Sequence, residues 1–240
     1  MLIMKHTICT VRRFVVLLIT AICIAAVVSL ASENANVALV KKTVNDVKKK
    51  TPDTNWEKAA IGTPLMGEDQ VSTGKKSFAL VKFSADNSIV RVREQSLLTV
   101  KGEGLRHSLI KEVYLTKGGV GFSVTKQRQN QEFRLTSPTS VASIRGTKGW
   151  WSRGEHADTL IVIEGLVNLR NRNSNREVDV GSGFIGISYD DGTVIVRPAT
   201  SDELENAEKY ASADETNNEI KFELKNQKGN TKTLKLQYKE

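Results

Sequence analysis

The sequence FRLTSPTSVASIRGTKGWW, residues 133–151, decides the fold. Phe133 and Leu135 alternate with polar residues, which is typical of a strand with one buried face. Pro138 fixes its own φ angle and lacks a backbone donor, so the chain must bend there. A second apolar run follows the bend, and two tryptophans end the stretch. This pattern predicts strands joined by a bend at the centre of an all-β domain.

The Arg145-Gly146-Thr147 segment predicts a turn inside this stretch. We expect Gly146 to adopt a conformation, or to allow a close backbone approach, that a β-carbon would forbid. Arg145 carries five donors in a planar fork, and we expect it to bind carbonyls or a carboxylate in a buried turn. A phosphate-binding loop would have to open a helix, whereas these residues continue into a strand. The segment is therefore interpreted as structural.

Strand and turn signals recur from residue 71 to residue 196, at a spacing of roughly 8–12 residues. This spacing predicts an antiparallel β-sandwich or short β-roll of many short strands. Residues 113–116 and 120–125 predict a hairpin around a turn at 117–119. The apolar run at 159–163 predicts a strand that is buried on both faces.

The pattern changes at Pro198. Thr200 and Glu203 form a capping box, which predicts a short helix that ends near Ala211. Two alternating runs, at 220–224 and 233–238, then predict a terminal hairpin. An isolated two-stranded hairpin is marginally stable, so we expect it to dock on the main domain or on a partner.

Residues 1–31 combine a basic front with an apolar run and a small-residue cleavage site at Ser29-Leu30-Ala31. This three-part pattern predicts a secretory signal peptide, and the alternative is an uncleaved membrane anchor. Positive charge before the run places the N-terminus in the cytoplasm and the remainder outside. The predicted organisation is a signal segment, a polar lead-in that forms a strand pair or a short helix, an all-β domain and a C-terminal extension, at 1–31, 32–54, 55–197 and 198–240.

Charge and cysteine content restrict the functions of the exported chain. The whole chain has 240 residues and a net charge of +8, which falls to +5 without residues 1–31. Both cysteines, Cys9 and Cys23, lie in that segment, so the mature chain has no thiolate nucleophile and no Cys-based metal site. We expect no nucleic-acid partner for an exported protein, and at most an affinity for anionic envelope polymers or headgroups.

Catalytic and metal-binding candidates are few. His107 and His156 lie in predicted polar loops and lack a second histidine at metal spacing. Four aspartates are predicted in turns, where this residue type commonly binds the backbone: Asp86, Asp158, Asp190 and Asp191. We therefore predict that the protein is not an enzyme and that it has neither a cofactor nor a metal site.

Trp150 and Trp151 are the candidate partner-binding residues. Adjacent strand residues face opposite sides of a sheet, so we expect one ring in the core and the other exposed. The exposed ring could contact a partner, because aromatic residues are enriched at contact surfaces.

Eight short motifs follow one another in a fixed order. They are Trp56, Gly62-Thr63-Pro64-Leu65-Met66-Gly67-Glu68-Asp69, Thr73-Gly74, Asp86-Asn87-Ser88, Gly119-Val120-Gly121-Phe122, Ser137-Pro138, Ile144-Arg145-Gly146-Thr147 and Val162-Ile163-Glu164-Gly165-Leu166-Val167. This order, especially Arg-Gly-Thr followed by Glu-Gly-x-Val, resembles the FecR domain of bacterial envelope proteins over about residues 55–196.

The resemblance implies a non-enzymatic all-β module outside the cytoplasm. The resemblance also implies that six residues have a structural role and form a folding signature. They are Pro138, Arg145, Gly146, Thr147, Glu164 and Gly165. The name-giving members pair the domain with a cytoplasmic segment that restrains a sigma factor, and they relay signals from an outer-membrane receptor. Only residues 1–13 precede the apolar run here, so we expect no anti-sigma activity.

These observations favour a stand-alone exported FecR-like protein of the periplasm or cell surface. We expect it to bind an envelope protein or an anionic polymer such as peptidoglycan. The alternative is a membrane-anchored periplasmic sensor or regulator in FecR-type transmembrane signalling.

Overall fold

A computed structural model describes residues 36–103, 110–127, 131–212, 218–225 and 231–238. Most of these residues lie in strands, which confirms the predicted all-β class. The strands are β1 (Ala38–Val44), β2 (Val47–Lys50), β3 (Glu57–Lys58), β4 (Pro64–Leu65), β5 (Asp69–Thr73), β6 (Phe78–Phe83), β7 (Ile89–Val92), β8 (Leu97–Glu103), β9 (Ile110–Val124), β10 (Glu132–Thr136), β11 (Ser140–Ile144), β12 (Thr147–Arg153), β13 (Ala157–Glu164), β14 (Leu166–Asn171), β15 (Glu177–Gly181), β16 (Phe184–Tyr189), β17 (Val194–Pro198), β18 (Asn218–Lys225) and β19 (Thr231–Tyr238). A helix, α1, spans Ser201–Ala211.

Strands β1 to β17 form two sheets that share β9. Sheet I has the order β4-β1-β6-β7-β9-β12-β13-β16-β17. Sheet II has the order β3-β2-β5-β8-β9-β10-β11-β14-β15. All of these pairs are antiparallel except β9 and β10, which run parallel. The architecture is therefore a largely antiparallel two-sheet sandwich, as predicted.

Strand β9 continues from one sheet into the other without a turn. The predicted hairpin of residues 113–116 and 120–125 is therefore wrong. Gly118 lies at the crossing point with a φ angle of +89°, and a Cβ placed on it would lie 2.3 Å from Ser96 Oγ. Gly118 and Gly119 predict a turn from the sequence. In the structure they allow β9 to bend from one sheet into the other.

The core lies between the two sheets. Phe83 from sheet I meets Phe133 from sheet II edge to face, with 5.0 Å between the ring centroids. Leu160 and Val162 on β13 are fully buried in this core, while Ile161 is buried on the outer face in a second cluster. The prediction that this strand is buried on both faces is confirmed.

Residues before position 55 belong to the sandwich. Strand β1 pairs with β6, and β2 pairs with β5. Val40 and Val47 are fully buried in the core. The sequence leaves a strand pair or a short helix open for this segment, and the structure has strands. The β fold therefore begins before residue 55.

The C-terminal elements match their predicted types. Helix α1 follows Thr200 and packs Ala207 and Ala211 onto the outer face of sheet I, against β9, β12 and β13. Strands β18 and β19 form a separate hairpin whose register places Ile220 opposite Leu236. Among the described residues, no helix has both the length and the apolar character that a bilayer crossing requires.

Candidate functional site

The turns of the predicted folding signature pack against each other. Gly146 has a φ angle of +70° and Gly165 one of +91°, both in the left-handed region. A Cβ on Gly165 would lie 2.8 Å from the Gly146 carbonyl oxygen. The Thr147 hydroxyl donates to the Leu166 carbonyl at 3.1 Å, which joins the two turns directly. The conformational role predicted for Gly146 is therefore confirmed.

Arg145 does not have the predicted environment. It is exposed, as are Pro138 and Glu164. The prediction of a buried guanidinium bound to carbonyls is wrong, because the glycine turn and the Thr147 hydroxyl join the turns without it. An exposed arginine at this turn contributes little to the fold.

The two tryptophans lie on opposite faces of β12, as the alternation of a strand requires. Trp151 is fully buried in the core and has no surface to offer a partner. Trp150 is half-buried and lies against Tyr210 of α1, with 4.7 Å between the ring centroids. Arg93 lies over the other aromatic ring, with its Cζ atom 4.8 Å from the Tyr210 centroid. Trp150 therefore contacts a segment of its own chain, and binding to an external partner stays a prediction.

Two glycines on β9 make room for this contact. A Cβ on Gly119 would lie 2.3 Å from the Trp150 ring, and a Cβ on Gly121 would lie 2.4 Å from the Tyr210 carbonyl oxygen. Glycine inside a strand commonly marks such a close approach. The outer face of sheet I is thus shaped for α1.

The start of α1 is fixed by charge and capping. Thr200 Oγ1 accepts from the Glu203 backbone N–H, and the Glu203 carboxylate accepts from the Thr200 N–H. Arg197 donates two hydrogen bonds, of 2.8 and 2.7 Å, to the same carboxylate. These hydrogen bonds lower the pKa of Glu203 to about 2, and the bonds from Arg197 have the largest effect.

A polar cluster joins the bend at Pro138 to the neighbouring loops. Ser137 Oγ donates to Asp158 Oδ2 at 2.5 Å and accepts from the backbone N–H groups of Thr139 and Ser140. Arg153 forms a two-pronged pair with Asp190, at 2.8 and 3.0 Å. These bonds hold the bend at Pro138 and the turn at Asp190 against β12 and β13.

The aspartates of this cluster differ in pKa because they differ in burial. Asp158 lies in β13 and is fully buried, so its predicted turn position is wrong. Burial raises the pKa of Asp158 above its ordinary value. Asp190 is more exposed, and the hydrogen bond from Arg153 lowers its pKa. Asp191 accepts from the Thr193 N–H at 2.8 Å, as predicted for a turn.

A second buried charge pair joins β9 to the β6–β7 turn. Lys111 is fully buried and donates to Asp86 and, at 2.6 Å, to Gln127. Burial raises the pKa of Asp86, but hydrogen bonds from Lys111 and Gln127 outweigh it, so the pKa lies below its ordinary value. Asp86 also accepts from the Ser88 N–H at 3.0 Å, as predicted for a turn. Such a pair, satisfied on both sides, is structural.

His156, the one of the two candidate histidines that the structure describes, has no catalytic geometry. His156 is exposed and lies 3.8 Å from the Glu155 carboxylate. His107 falls outside the described residues. Within the described part of the chain, no group of three His, Cys, Asp or Glu side chains is placed to hold a metal.

The outer face of sheet II carries a polar groove of about 390 Å³, which we call the sheet II groove. Its lining forms two neighbouring rows across the strands, with Arg172 beside them just after β14. One row contains Glu112, Arg134, Ser143 and Asn168, and the other contains Thr136, Val141, Arg170 and Glu177.

Contacts within the groove hold most of its charged groups. Arg134 donates two hydrogen bonds to Glu132, at 2.8 and 2.6 Å. The Thr136 hydroxyl donates to Glu112 at 2.8 Å. The sequence gives no direct signal of this site, because its rows come from the register of strands that are distant in the chain. The nearest signal is the charged alternation along β10 and β14.

Comparison with known proteins gives a family match over part of the chain. Residues 69–168, which begin at β5 and end within β14, match the model of a family described as FecR protein. No curated protein matches the chain significantly.

Two matching solved structures are crystal structures of a candidate anti-sigma factor from Parabacteroides distasonis ATCC 8503. The structure at 2.50 Å has a TM-score of 0.48 and 12% identity, and the alignment covers 57% of this chain and 62% of that one. The structure at 1.65 Å has a TM-score of 0.49 and 13% identity, and covers 64% and 66%. The alignments thus span less than two thirds of either chain from that organism.

Proposed function

The chain carries a FecR domain, and from that premise we propose that it is a non-enzymatic binding module of the bacterial cell envelope. Residues 1–31 direct it out of the cytoplasm, and the sandwich then binds an envelope component in the periplasm or at the cell surface. The envelope location is supported by the signal pattern and by the known setting of the family.

One observation carries the binding role: the two outer faces of the sandwich differ. The outer face of sheet I is occupied by α1, which covers Trp150 and Ile161. The outer face of sheet II carries the sheet II groove on five hydrogen-bonded strands. A rigid sheet with convergent polar groups suits recognition, because its side chains need little rearrangement on binding.

The polar clusters support a role without catalysis. The Ser137 hydroxyl is fully buried and already engages Asp158 and two backbone N–H groups. A substrate cannot reach it without unfolding the turn. Lys111 is likewise buried and paired, so it offers no free amine to a substrate.

Site-specific photo-cross-linking in cells tests this function. A photoreactive residue placed at Asn173, which is exposed next to Arg172 of the groove, should give a discrete adduct with an envelope component. The same residue at Glu205, which is exposed on α1, should give none and serves as the matched control. Adducts confined to Glu205, or no adduct from either position, would overturn binding through sheet II.

A further inference from the structure

We propose that the sheet II groove binds a carboxylate-bearing peptide segment of the partner, and that Arg172 pairs with the carboxylate. This inference rests on the proposed function and adds the chemical class of the ligand. The groove volume of about 390 Å³ lies within the range of small-ligand sites, roughly 300–1,000 Å³.

The arginines of the groove lining are matched in number by glutamates. Arg134, Arg170 and Arg172 line the groove with Glu112 and Glu177, and Glu132 accepts two hydrogen bonds from Arg134. Three arginines thus meet three glutamates, and the groove has no surplus charge. A ligand must therefore match an individual side chain of the groove, not a net charge.

Arg172 is the guanidinium most available to a ligand. Its side chain is exposed, and within the described residues it takes part in no ion pair. Its backbone is fixed, because its N–H donates to the Thr139 carbonyl at 2.7 Å. By contrast, Arg170 Nε lies 3.7 Å from the Glu177 carboxylate. A guanidinium fork binds a carboxylate with two parallel hydrogen bonds, which favours this anion as the ligand group.

The remaining lining favours a peptide over other anions. Glu112 and Glu177 would repel a polyanion such as a polyphosphate but can accept hydrogen bonds from peptide N–H groups or an ammonium. Ser143 donates to Glu132 and Asn168 donates to Asp179, so their oxygen atoms are the acceptors that they offer to a peptide backbone. Among the described residues that line the groove, none is aromatic and Val141 is the apolar one, so a flat sugar ring or a hydrophobic ligand finds little apolar surface.

The test measures binding of the purified chain to labelled peptide libraries by fluorescence anisotropy. One acetylated and amidated library carries a fixed Glu between randomised positions, and a second carries Gln at that position. A third places the carboxylate at the free C-terminus, which distinguishes a side-chain source from a chain-end source. We expect a carboxylate library to bind, and the Gln library to bind about tenfold more weakly, because a charged pair is lost.

Two variants assign the effect to Arg172. Arg172→Gln should weaken carboxylate binding about tenfold. Arg176→Gln removes an exposed arginine four residues away, outside the groove lining, and should leave binding within about twofold. Equal binding of Glu and Gln libraries, equal loss in both variants, or preferential binding of soluble glycan strands would overturn the proposal.

The two experiments fail separately. A chain that gives an adduct from position 173 but binds the Glu and Gln libraries equally refutes only the ligand class. A chain that gives no adduct and binds no library refutes the proposed function as well.

Discussion

Gly165 approaches Gly146 so closely that a Cβ on Gly165 would lie 2.8 Å from the Gly146 carbonyl oxygen. The contact joins the turn between β11 and β12 to the turn between β13 and β14, and each of these turns connects a strand of one sheet to a strand of the other. Thr147 and Leu166 extend it through a side-chain hydrogen bond of 3.1 Å. The Arg-Gly-Thr and Glu-Gly motifs of this chain are thus two halves of one contact.

Gly165→Ala should destabilise the fold more than Gly183→Ala. Both positions have positive φ angles, so each alanine costs about 1–2 kcal/mol of backbone strain. Gly183 has no atom within 4 Å of an added Cβ, whereas Gly165 has the Gly146 oxygen at 2.8 Å. Chemical denaturation of both variants measures the difference, and equal losses would show that the close approach adds nothing.

Arg145→Ala should leave the free energy of unfolding within about 0.5 kcal/mol of the wild type. The reason is that Arg145 is exposed while Thr147 joins the turns. Thermal and denaturant melts test this expectation, with Thr147→Val as the comparison that loses the bond to Leu166. A large loss from Arg145→Ala would restore a structural role for its guanidinium.

Tyr210→Ala should loosen α1 without disturbing the core. It removes the ring contact with Trp150 and the cation–π contact with Arg93, together about 1–2 kcal/mol. Emission from Trp150 should shift to longer wavelength as solvent reaches the ring, while Trp151 stays buried. Lys209→Ala changes an exposed neighbour on the same helix and is the control. It should change neither the stability nor the emission wavelength of Trp150.

The attachment of α1 should weaken in acid. Arg197, together with the Thr200 N–H, lowers the pKa of Glu203 from 4.5 to about 2. Because the fold prefers the ionised carboxylate, this contribution is complete above pH 4.5 and is lost as the pH falls through 2. Wild type should exceed Glu203→Gln in stability at neutral pH and converge with it near pH 2. A constant difference at all pH values would contradict the assignment, and Glu205→Gln serves as the exposed control.

The mature chain should begin near Ser32. This follows from the small residues at Ser29-Leu30-Ala31, after which polar sequence begins. Mass spectrometry of the protein isolated from cells measures the N-terminus directly. A retained Met1 would favour the alternative of a membrane-anchored sensor or regulator.

Much of the fold could be predicted because strand alternation and capping are local signals. The capping box at Thr200 predicts α1, and the run at 159–163 predicts a strand buried on both faces. Three errors share one cause, since burial depends on contacts that are remote in sequence. The sequence predicts a turn at Gly118, but this residue lies where one strand bends. Asp158 is predicted in a turn but is buried in a strand, and Arg145 is predicted to be buried but is exposed.

The sheet II groove could not be predicted, for a related physical reason. Its rows exist only because the parallel pairing of β9 with β10 places Arg134 opposite Glu112. A shift of one residue in that register would turn these side chains toward the core. Likewise, the sequence predicts that one tryptophan is exposed but contains no signal that Tyr210 covers it.

The most direct test of the central claim is amide hydrogen exchange of the chain with and without solubilised native envelope. The account predicts that the turn at residues 171–176, beside the sheet II groove, becomes protected while α1 is unchanged. Protection confined to α1, or no protection in either region, would contradict binding through the outer face of sheet II.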